Sequence, residues 1–225
     1  MKTKAHLDRL VRLGIRYRPE RSTRTAPGLL LACAATVLFA FTLGPPTVSA
    51  QRPPQFRVTS TTFMPNGALP LSMVYDQCQY FPGGGNQSPE LSWSNVPAGT
   101  VVLVVIAYDR TASVTHWGMY NISGIYTGLP RGAGTPNSIY GIQIANVYGP
   151  DHLRYDGPCP PPPLLPRSHL YVFTVYALDT LLPTLPTFGS FPPGSDALYN
   201  ALITAARDNH ILGQASIAGR FPDRP

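Results

Sequence analysis

Three places in the chain concentrate side chains that could bind or transform a small molecule. Asp109 follows the most apolar stretch of the sequence, and His116-Trp117 comes seven residues later. A second place is the turn Gly157-Pro158-Cys159-Pro160-Pro161, and a third is His169-x-Tyr171. Two imidazoles and a phenol can each donate a hydrogen bond, while proline fixes φ and makes a rigid wall. The set predicts a site for a small oxyanion such as phosphate, provided that the two histidines converge.

Asp109 admits more than one role at such a site. Its carboxylate repels an anion, but it can orient a histidine or receive a cationic head group. Two histidines and one aspartate are also zinc-ligand types, yet spacings of 7 and 53 residues fit no local metal motif. We therefore expect no metal and no other cofactor. No G-x-S-x-G motif is present, so nucleophilic catalysis lacks a sequence signature; a weak phosphoester hydrolase using Asp109 and His116 is one alternative function.

The elements that must position these side chains are mostly strands. Runs rich in β-branched and aromatic residues predict strands at Phe56–Phe63, Leu91–Trp93, Thr100–Tyr108, Trp117–Ile122, His169–Leu178 and Gly213–Phe221. The period of two puts His169, Tyr171 and Phe173 on one face. Residues 123–150 are rich in Gly and Pro and predict long loops, whereas Ser195 begins one late helix that ends near Asn209. The pattern predicts a mainly antiparallel β domain.

The positive charge of the chain lies in its first fifty residues. The formal net charge of +6 comes from residues 1–50, which hold eight basic and two acidic groups, while the remainder holds nine arginines and nine acids. The neutral remainder therefore gives no electrostatic reason to expect nucleic-acid binding. A basic stretch, an apolar run at 28–44 and Val48-Ser49-Ala50 predict a secretory signal cleaved after Ala50, or else a membrane anchor. The single domain, residues 51–225, is then secreted or otherwise extracytoplasmic, and contacts a membrane only through that segment.

The exported part contains two cysteines, Cys78 and Cys159. An oxidising compartment favours a single bridge between them. Two buried, unpaired thiols are the alternative, because sequence alone does not place their Cα atoms within the bonding range.

The same residues resemble the phosphatidylethanolamine-binding protein family, in particular its bacterial Raf-kinase-inhibitor-like branch. Asn86–Trp93 is similar to N-x-S-P-x-L-x-W, His116–Ile122 to H-W-x-x-x-N-I, and Gly157–Pro161 to G-P-C-P-P. His169–Asp179 is similar to H-x-Y-x-F-x-x-Y-A-L-D. The resemblance spans about Phe56 to Phe221. Asp109–Ser113 departs from the family pattern D-P-D-A-P, because Thr111 replaces the second aspartate and neither proline is present.

The resemblance implies a two-sheet antiparallel sandwich with one C-terminal helix, long Pro/Gly loops and a small anion pocket. Residues matching the family's pocket wall are Asp109, His116, Trp117, Gly157, Pro158, His169 and Tyr171. The implied ligands are phosphate or phospholipid head groups, and the implied function is binding without catalysis. Because several family members inhibit kinases or proteases, a protein-interaction module with an unidentified target is a second interpretation.

Overall fold

The computed structural model describes residues 54–161, 168–186 and 193–222. The leader predicted at residues 1–50, its apolar run and its cleavage point all lie outside the described residues. None of the helices in the described ranges combines the length and the apolar content that crossing a membrane requires.

Within the described residues, eight strands form two antiparallel sheets, and one α-helix follows near the end of the chain. The smaller sheet has the order β1-β2-β5 and consists of β1 (Arg57–Thr59), β2 (Leu91–Ser94) and β5 (Gly128–Leu129). The larger sheet has the order β6-β4-β3-β7-β8 and consists of β6 (Ile142–Gln143), β4 (Val114–Ser123), β3 (Val102–Asp109), β7 (Ser168–Leu178) and β8 (Ile211–Pro222). The helix α1 spans Pro193–Arg207. The predicted class, a mainly β two-sheet fold with one late helix, is confirmed.

Strand β3 is buried on both faces, as its unbroken apolar run predicts. Leu103, Val105 and Ala107 belong to the core between the two sheets. Val104 and Ile106 face the opposite side, where they join a second core that includes Leu198 and Leu202 of α1. Because apolar side chains cover both faces, this strand is the fixed centre of the large sheet.

Strand β7 brings the predicted site residues His169 and Tyr171 beside Asp109. It pairs with β3 so that Tyr171 lies opposite Asp109, and with β8 so that His169 lies opposite Phe221. His169, Tyr171 and Phe173 are buried while their neighbours in sequence are half-buried, as the period of two predicts. The end of the large sheet where β3 ends and β7 begins therefore carries an aspartate, a histidine and a tyrosine on one face.

The first strand is much shorter than the predicted Phe56–Phe63. Regular pairing ends at Thr59 because the next residues bond to Glu90 instead of to a neighbouring strand. The Ser60 hydroxyl donates to the Glu90 carbonyl at 2.5 Å, and the Thr61 amide donates to the Glu90 carboxylate at 2.6 Å. Side-chain bonds of this kind compete with ladder hydrogen bonds. The predicted loop region 123–150 in turn contains the two-residue strands β5 and β6.

A disulfide joins two loops at the site end of the molecule. Cys78 and Cys159 are bonded, with their Cα atoms 5.5 Å apart and 81 residues apart in sequence. A bridge that closes a loop of this length stabilises a domain by about 2–4 kcal/mol. The Tyr75 amide also donates to the Pro158 carbonyl at 3.2 Å, so the two loops are joined by backbone as well.

Candidate functional site

A cavity of about 300 Å³ opens at the end of the large sheet where β3 ends and β7 begins. Its wall combines ionisable side chains with an apolar rim. The lining residues are Asp109, Ala112, Val114, His116, Val147, Tyr148, Cys159, Pro160, Pro161, His169 and Tyr171. The structure thus brings Asp109, His116, His169 and Tyr171, four of the seven predicted site residues, to one cavity.

His169 and Asp109 form a buried pair in this wall. The His169 Nδ1 donates to Oδ2 of Asp109 at 2.6 Å, and the two residues are 4% and 1% exposed. The other carboxylate oxygen accepts from the amides of Thr111 and Ala112 at 2.8 and 3.1 Å. Three N–H donors therefore fix the aspartate, and the aspartate fixes the imidazole ring. The remaining ring nitrogen, Nε2 of His169, is buried and has no partner among the described residues.

His116 reaches the cavity because β4 contains a bulge at this residue. Ala107 pairs with Trp117 and Tyr108 pairs with Thr115, so His116 is an extra residue without an opposite partner on β3. A β-bulge bends a strand and redirects its side chains. As a result His116 lies on the same side as Tyr171, with 5.2 Å between the ring centroids.

The tautomer of His116 follows from its hydrogen bond. Its Nδ1 lies 2.8 Å from the backbone carbonyl oxygen of Asp156, which can only accept, so Nδ1 carries the proton. Burial lowers the pKa of His116, although the Asp156 carbonyl and the charges of Asp109 and Asp156 oppose this shift. His116 is therefore neutral at pH 7, and its Nε2 is then an acceptor rather than a donor.

Two tyrosines complete the polar part of the wall. Burial and the negative charge of Asp109 raise the pKa of Tyr171, so this phenol keeps its proton. Tyr148 lies across the cavity, where its hydroxyl donates to the Gly157 carbonyl at 2.9 Å. The Tyr148 ring stacks on Tyr75 with 4.2 Å between centroids and meets His116 edge-on at 5.8 Å. Tyr148 was not predicted from the sequence, because it lies in the 123–150 region, which shows no periodicity.

Asp156 holds the loops behind the cavity together and is fully buried. One carboxylate oxygen accepts from Asn86 Nδ2 and Arg154 Nε, both at 2.8 Å. The other accepts from Asn146 Nδ2 at 2.8 Å and from His152 Nδ1 at 2.6 Å. Its carbonyl meanwhile holds His116. No sequence pattern identifies Asp156 as a site residue either. Its position directly before the Gly157–Pro161 turn is the one feature of the sequence that points to it.

Trp117 is not part of the cavity wall, which corrects the prediction. Its indole is fully buried between the sheets, where Nε1 donates to Gln143 Oε1 at 2.7 Å. The ring also meets Tyr155 edge-on, with 5.9 Å between centroids. The bulge lets both side chains lie on the inner face, where the histidine reaches the cavity and the tryptophan packs in the core.

Gly157 and Pro158 are likewise absent from the cavity wall, whose proline side is formed by Pro160 and Pro161. Gly157 is needed for close packing instead. A Cβ atom on this residue would lie 1.7 Å from the carbonyl oxygen of Met73. The glycine thus lets the turn lie directly against the loop that carries Tyr75, and so sets the position of the prolines that follow.

Replacing Gly157 by alanine is expected to lower the free energy of unfolding by about 3 kcal/mol, because the clashing atom belongs to the backbone and cannot rotate away. Urea denaturation with the disulfide intact measures this. Gly213→Ala is the matched control, since its Cβ would meet only side chains, Pro97 at 3.0 Å and Phe56 at 3.7 Å, and it should lose clearly less. Equal losses for the two variants would show that the tight contact at Gly157 is not what the turn requires.

Thr111 shows how the departure from the family pattern is accommodated. Its hydroxyl accepts a hydrogen bond from the Leu170 amide at 3.0 Å, which ties the turn after β3 to the first residues of β7. The turn also relies on Ser113, which has a positive φ of 60°. The Asp109 carboxylate thus keeps its amide donors without the two prolines of the family pattern.

The Nε2 atoms of His116 and His169 can accept a proton and form hydrogen bonds, while the Asp109 carboxylate is held in place beside His169. Both rings already use Nδ1 as a donor, so each ring must gain a proton before its Nε2 can donate. Among the described residues, no three His, Cys, Asp or Glu side chains are grouped as a metal site would need. The cavity volume is at the lower end of the range for small-molecule sites, about 300–1,000 Å³.

Comparison with known proteins gives concordant results. A family model described as phosphatidylethanolamine-binding protein matches residues 59–222. The UPF0098 protein YbcL of Escherichia coli (strain K12) is 36% identical over 144 residues, which is 60% of this chain and 74% of that protein. A UPF0098 protein of Methanothermobacter thermautotrophicus is 32% identical over 146 residues, or 64% of this chain and 87% of that protein.

The fold is similar to solved structures as well. The crystal structure of E. coli YbcL, described as a new member of the mammalian PEBP family, superposes with a TM-score of 0.59 at 28% identity. The superposition covers 74% of this chain and 98% of that chain. A putative homologue from Chlamydia trachomatis gives a TM-score of 0.56 at 29% identity, over 73% of this chain and 95% of that chain.

Proposed function

The chain belongs to the phosphatidylethanolamine-binding protein family, and we propose that it is a non-enzymatic binding protein for phosphate or phospholipid head groups. The ligand's anionic group would occupy the cavity between His116 and His169. Family membership accounts for the fold, whereas the residues that line the cavity of this chain are the reason to expect an anionic ligand. Binding rather than turnover is supported by the oxidised state of Cys159, which lines the cavity but is bonded to Cys78 and so offers no free thiol.

The proposal depends most on one observation: Nε2 of His169 is buried and has no hydrogen-bond partner among the described residues. A buried polar atom without a partner costs about 1–3 kcal/mol, so it persists where a ligand or a function uses it. Here the ring is held at Nδ1 by Asp109, and the residue lines a cavity that also receives His116. A bound anion would supply the missing partner once the ring is an imidazolium.

Anion binding then requires protons, because both rings are already donors at Nδ1. Protonation of His169 makes the pair with Asp109 neutral, which removes the repulsion that the carboxylate exerts on an anion. Protonation of His116 adds a positive charge, and its lowered pKa places this second step further into the acidic range. Because the ligand stabilises protonated His116, whose pKa is lowered by burial, affinity rises as the pH falls and decreases as the pH rises.

Sulfate is the appropriate probe, since it stays a dianion across this range while phosphate itself changes charge. We expect sulfate to bind at least about tenfold more tightly at about pH 5.5 than at about pH 7.5, because binding adds a proton to His116, whose buried ring is neutral at the higher pH. Isothermal titration calorimetry measures both affinities, and repeating each titration in buffers of different ionisation enthalpy counts the protons taken up. Equal affinity at the two pH values would contradict the role of the histidines.

We further propose that the domain works outside the cytosol. Support comes from the sequence of the first fifty residues, with basic groups, then an apolar run, then small residues before Gln51. The Cys78–Cys159 bridge is of the kind that persists in oxidising compartments. In this setting accessible ligands include the head groups at the outer surface of a membrane and free phosphate esters.

A further inference from the structure

We propose that this protein has a second ligand site, for a small zwitterion with the ammonium and carboxylate of a free α-amino acid. The site is a cavity of about 230 Å³ that shares none of its lining residues with the first cavity. Its lining residues are Asp76, Gly85, Asn86, Gln87, Ser88, Gly132, Gly134, Thr135, Pro136, Arg154 and Tyr155. This proposal does not rest on the anion site.

Two side chains of opposite charge line this cavity and do not pair with each other, although Arg154 is paired with the buried Asp156. Asp76 and Arg154 both line it, yet no ion pair joins them among the described residues. Arg154 uses Nε to bind the buried Asp156 at 2.8 Å, which holds the guanidinium in place. Arg154 also bonds the Tyr75 side chain, and its remaining terminal N–H groups can donate to a carboxylate. Asp76 can accept from an ammonium group at the same time.

The second argument is that the floor between the charges is rigid and polar. Ser88 is 1% exposed, and its carbonyl accepts from the Gly132 amide at 2.9 Å. Its Oγ accepts from the Gly134 amide at 2.9 Å, which leaves the hydroxyl hydrogen free to donate to a ligand oxygen. Asn86 is held on both ends of its side chain, by Asp156 at 2.8 Å and by the Gly157 amide at 2.8 Å. A preformed floor lowers the entropy cost of binding.

The size of the cavity limits the ligand to a small molecule. At about 30 Å³ for each water, 230 Å³ corresponds to about eight water volumes, so the ligand has about eight non-hydrogen atoms. L-Threonine has that many, with its ammonium and carboxylate on adjacent carbons and a hydroxyl that suits Thr135 or Gln87. Charge at both ends distinguishes this ligand from the anion expected in the first cavity.

The test is a titration of the disulfide-bonded domain with L-threonine, followed by amide chemical shifts in NMR. We expect shifts at Ser88, Gly132 and Gly134 with a Kd on the order of 1 mM. N-acetyl-L-threonine, which lacks the ammonium, and L-threoninamide, which lacks the carboxylate, should each bind about two- to fivefold more weakly. Asp76→Asn should weaken L-threonine to a similar extent, while Asp151→Asn, an exposed carboxylate outside both cavities, should leave it unchanged.

Sulfate titration of the same samples separates the two sites. Unchanged sulfate affinity in Asp76→Asn, together with weakened L-threonine, supports a second site independent of the first. The proposal is overturned if no shifts occur at Ser88, Gly132 or Gly134 up to about 20 mM, twenty times the expected Kd. It is equally overturned if the amide and acetyl derivatives bind as well as L-threonine, or if Asp76→Asn has no effect.

Discussion

Asp156→Ala is expected to lower the free energy of unfolding by about 3–5 kcal/mol, the largest loss of stability that we predict for a single substitution. The carboxylate is fully buried and accepts four hydrogen bonds, from Asn86, Arg154, Asn146 and His152. Its removal leaves the Arg154 guanidinium and the half-buried Asn86 amide without this acceptor, and leaves the buried Asn146 amide with only the Arg154 carbonyl. Each group left without an acceptor then bears the cost of desolvation without compensation.

Urea unfolding of the disulfide-bonded domain measures the effect, and Asp151→Asn provides an exposed-carboxylate control that should change stability by less than about 0.5 kcal/mol. Asp156→Asn gives a milder variant for the case in which alanine prevents folding. It keeps one acceptor oxygen but turns the other position into a donor that opposes Asn86 or Asn146, so it should still lose about 2 kcal/mol. A stability equal to that of the Asp151 control would show that the loops do not depend on Asp156.

His169→Asn is expected to weaken sulfate binding at about pH 5.5 by about 10–150-fold, which corresponds to the loss of one hydrogen bond between charged groups. The Asn side chain reproduces the Nδ1 donor toward Asp109, so the carboxylate keeps its partner and the fold is preserved. It removes Nε2, the atom that we propose contacts the anion. The substitution thus separates the ligand contact from the structural hydrogen bond.

The pH dependence distinguishes this role from a merely structural one. In His169→Asn the number of protons taken up on binding should be smaller than in the natural sequence, because one of the two rings that can gain a proton is gone. His210→Asn is the matched control, because His210 also pairs with an aspartate, Asp179 at 2.8 Å, but is exposed and far along the chain from the cavity. If both variants bind sulfate as tightly as the natural sequence, His169 does not contact the anion.

The sequence predicts most of the large sheet, and it also predicts that Asp109, His169 and Tyr171 lie close together. Both predictions have physical reasons. The alternation in β7 places His169 and Tyr171 on one buried face, because a strand repeats every two residues. The unbroken run of β3 requires cover on both sides, which the second sheet and α1 provide. Asp109 then falls beside Tyr171 once the two strands pair, as the observed register shows.

Features that depend on distant partners could not be predicted in this way. The bulge at His116 breaks the period of two, so alternation alone would have put His116 and Trp117 on opposite faces. Asp156 has hydrogen-bond partners up to 70 residues away in sequence, and the residues next to it give no indication of which they are. Tyr148 joins the cavity through a loop whose shape is set by Asn146, which accepts from the Tyr148 amide at 2.9 Å.

Diffraction from crystals grown with selenate at about pH 5.5 tests the central claim most directly, because selenium marks an oxyanion by anomalous scattering and the imidazoles are then most protonated. We predict one selenate in the 300 Å³ cavity, with an oxygen within hydrogen-bond distance of Nε2 of His169 and a second oxygen facing the His116 ring. Selenate bound only at surface arginines, with water alone beside the two histidines, would contradict the account.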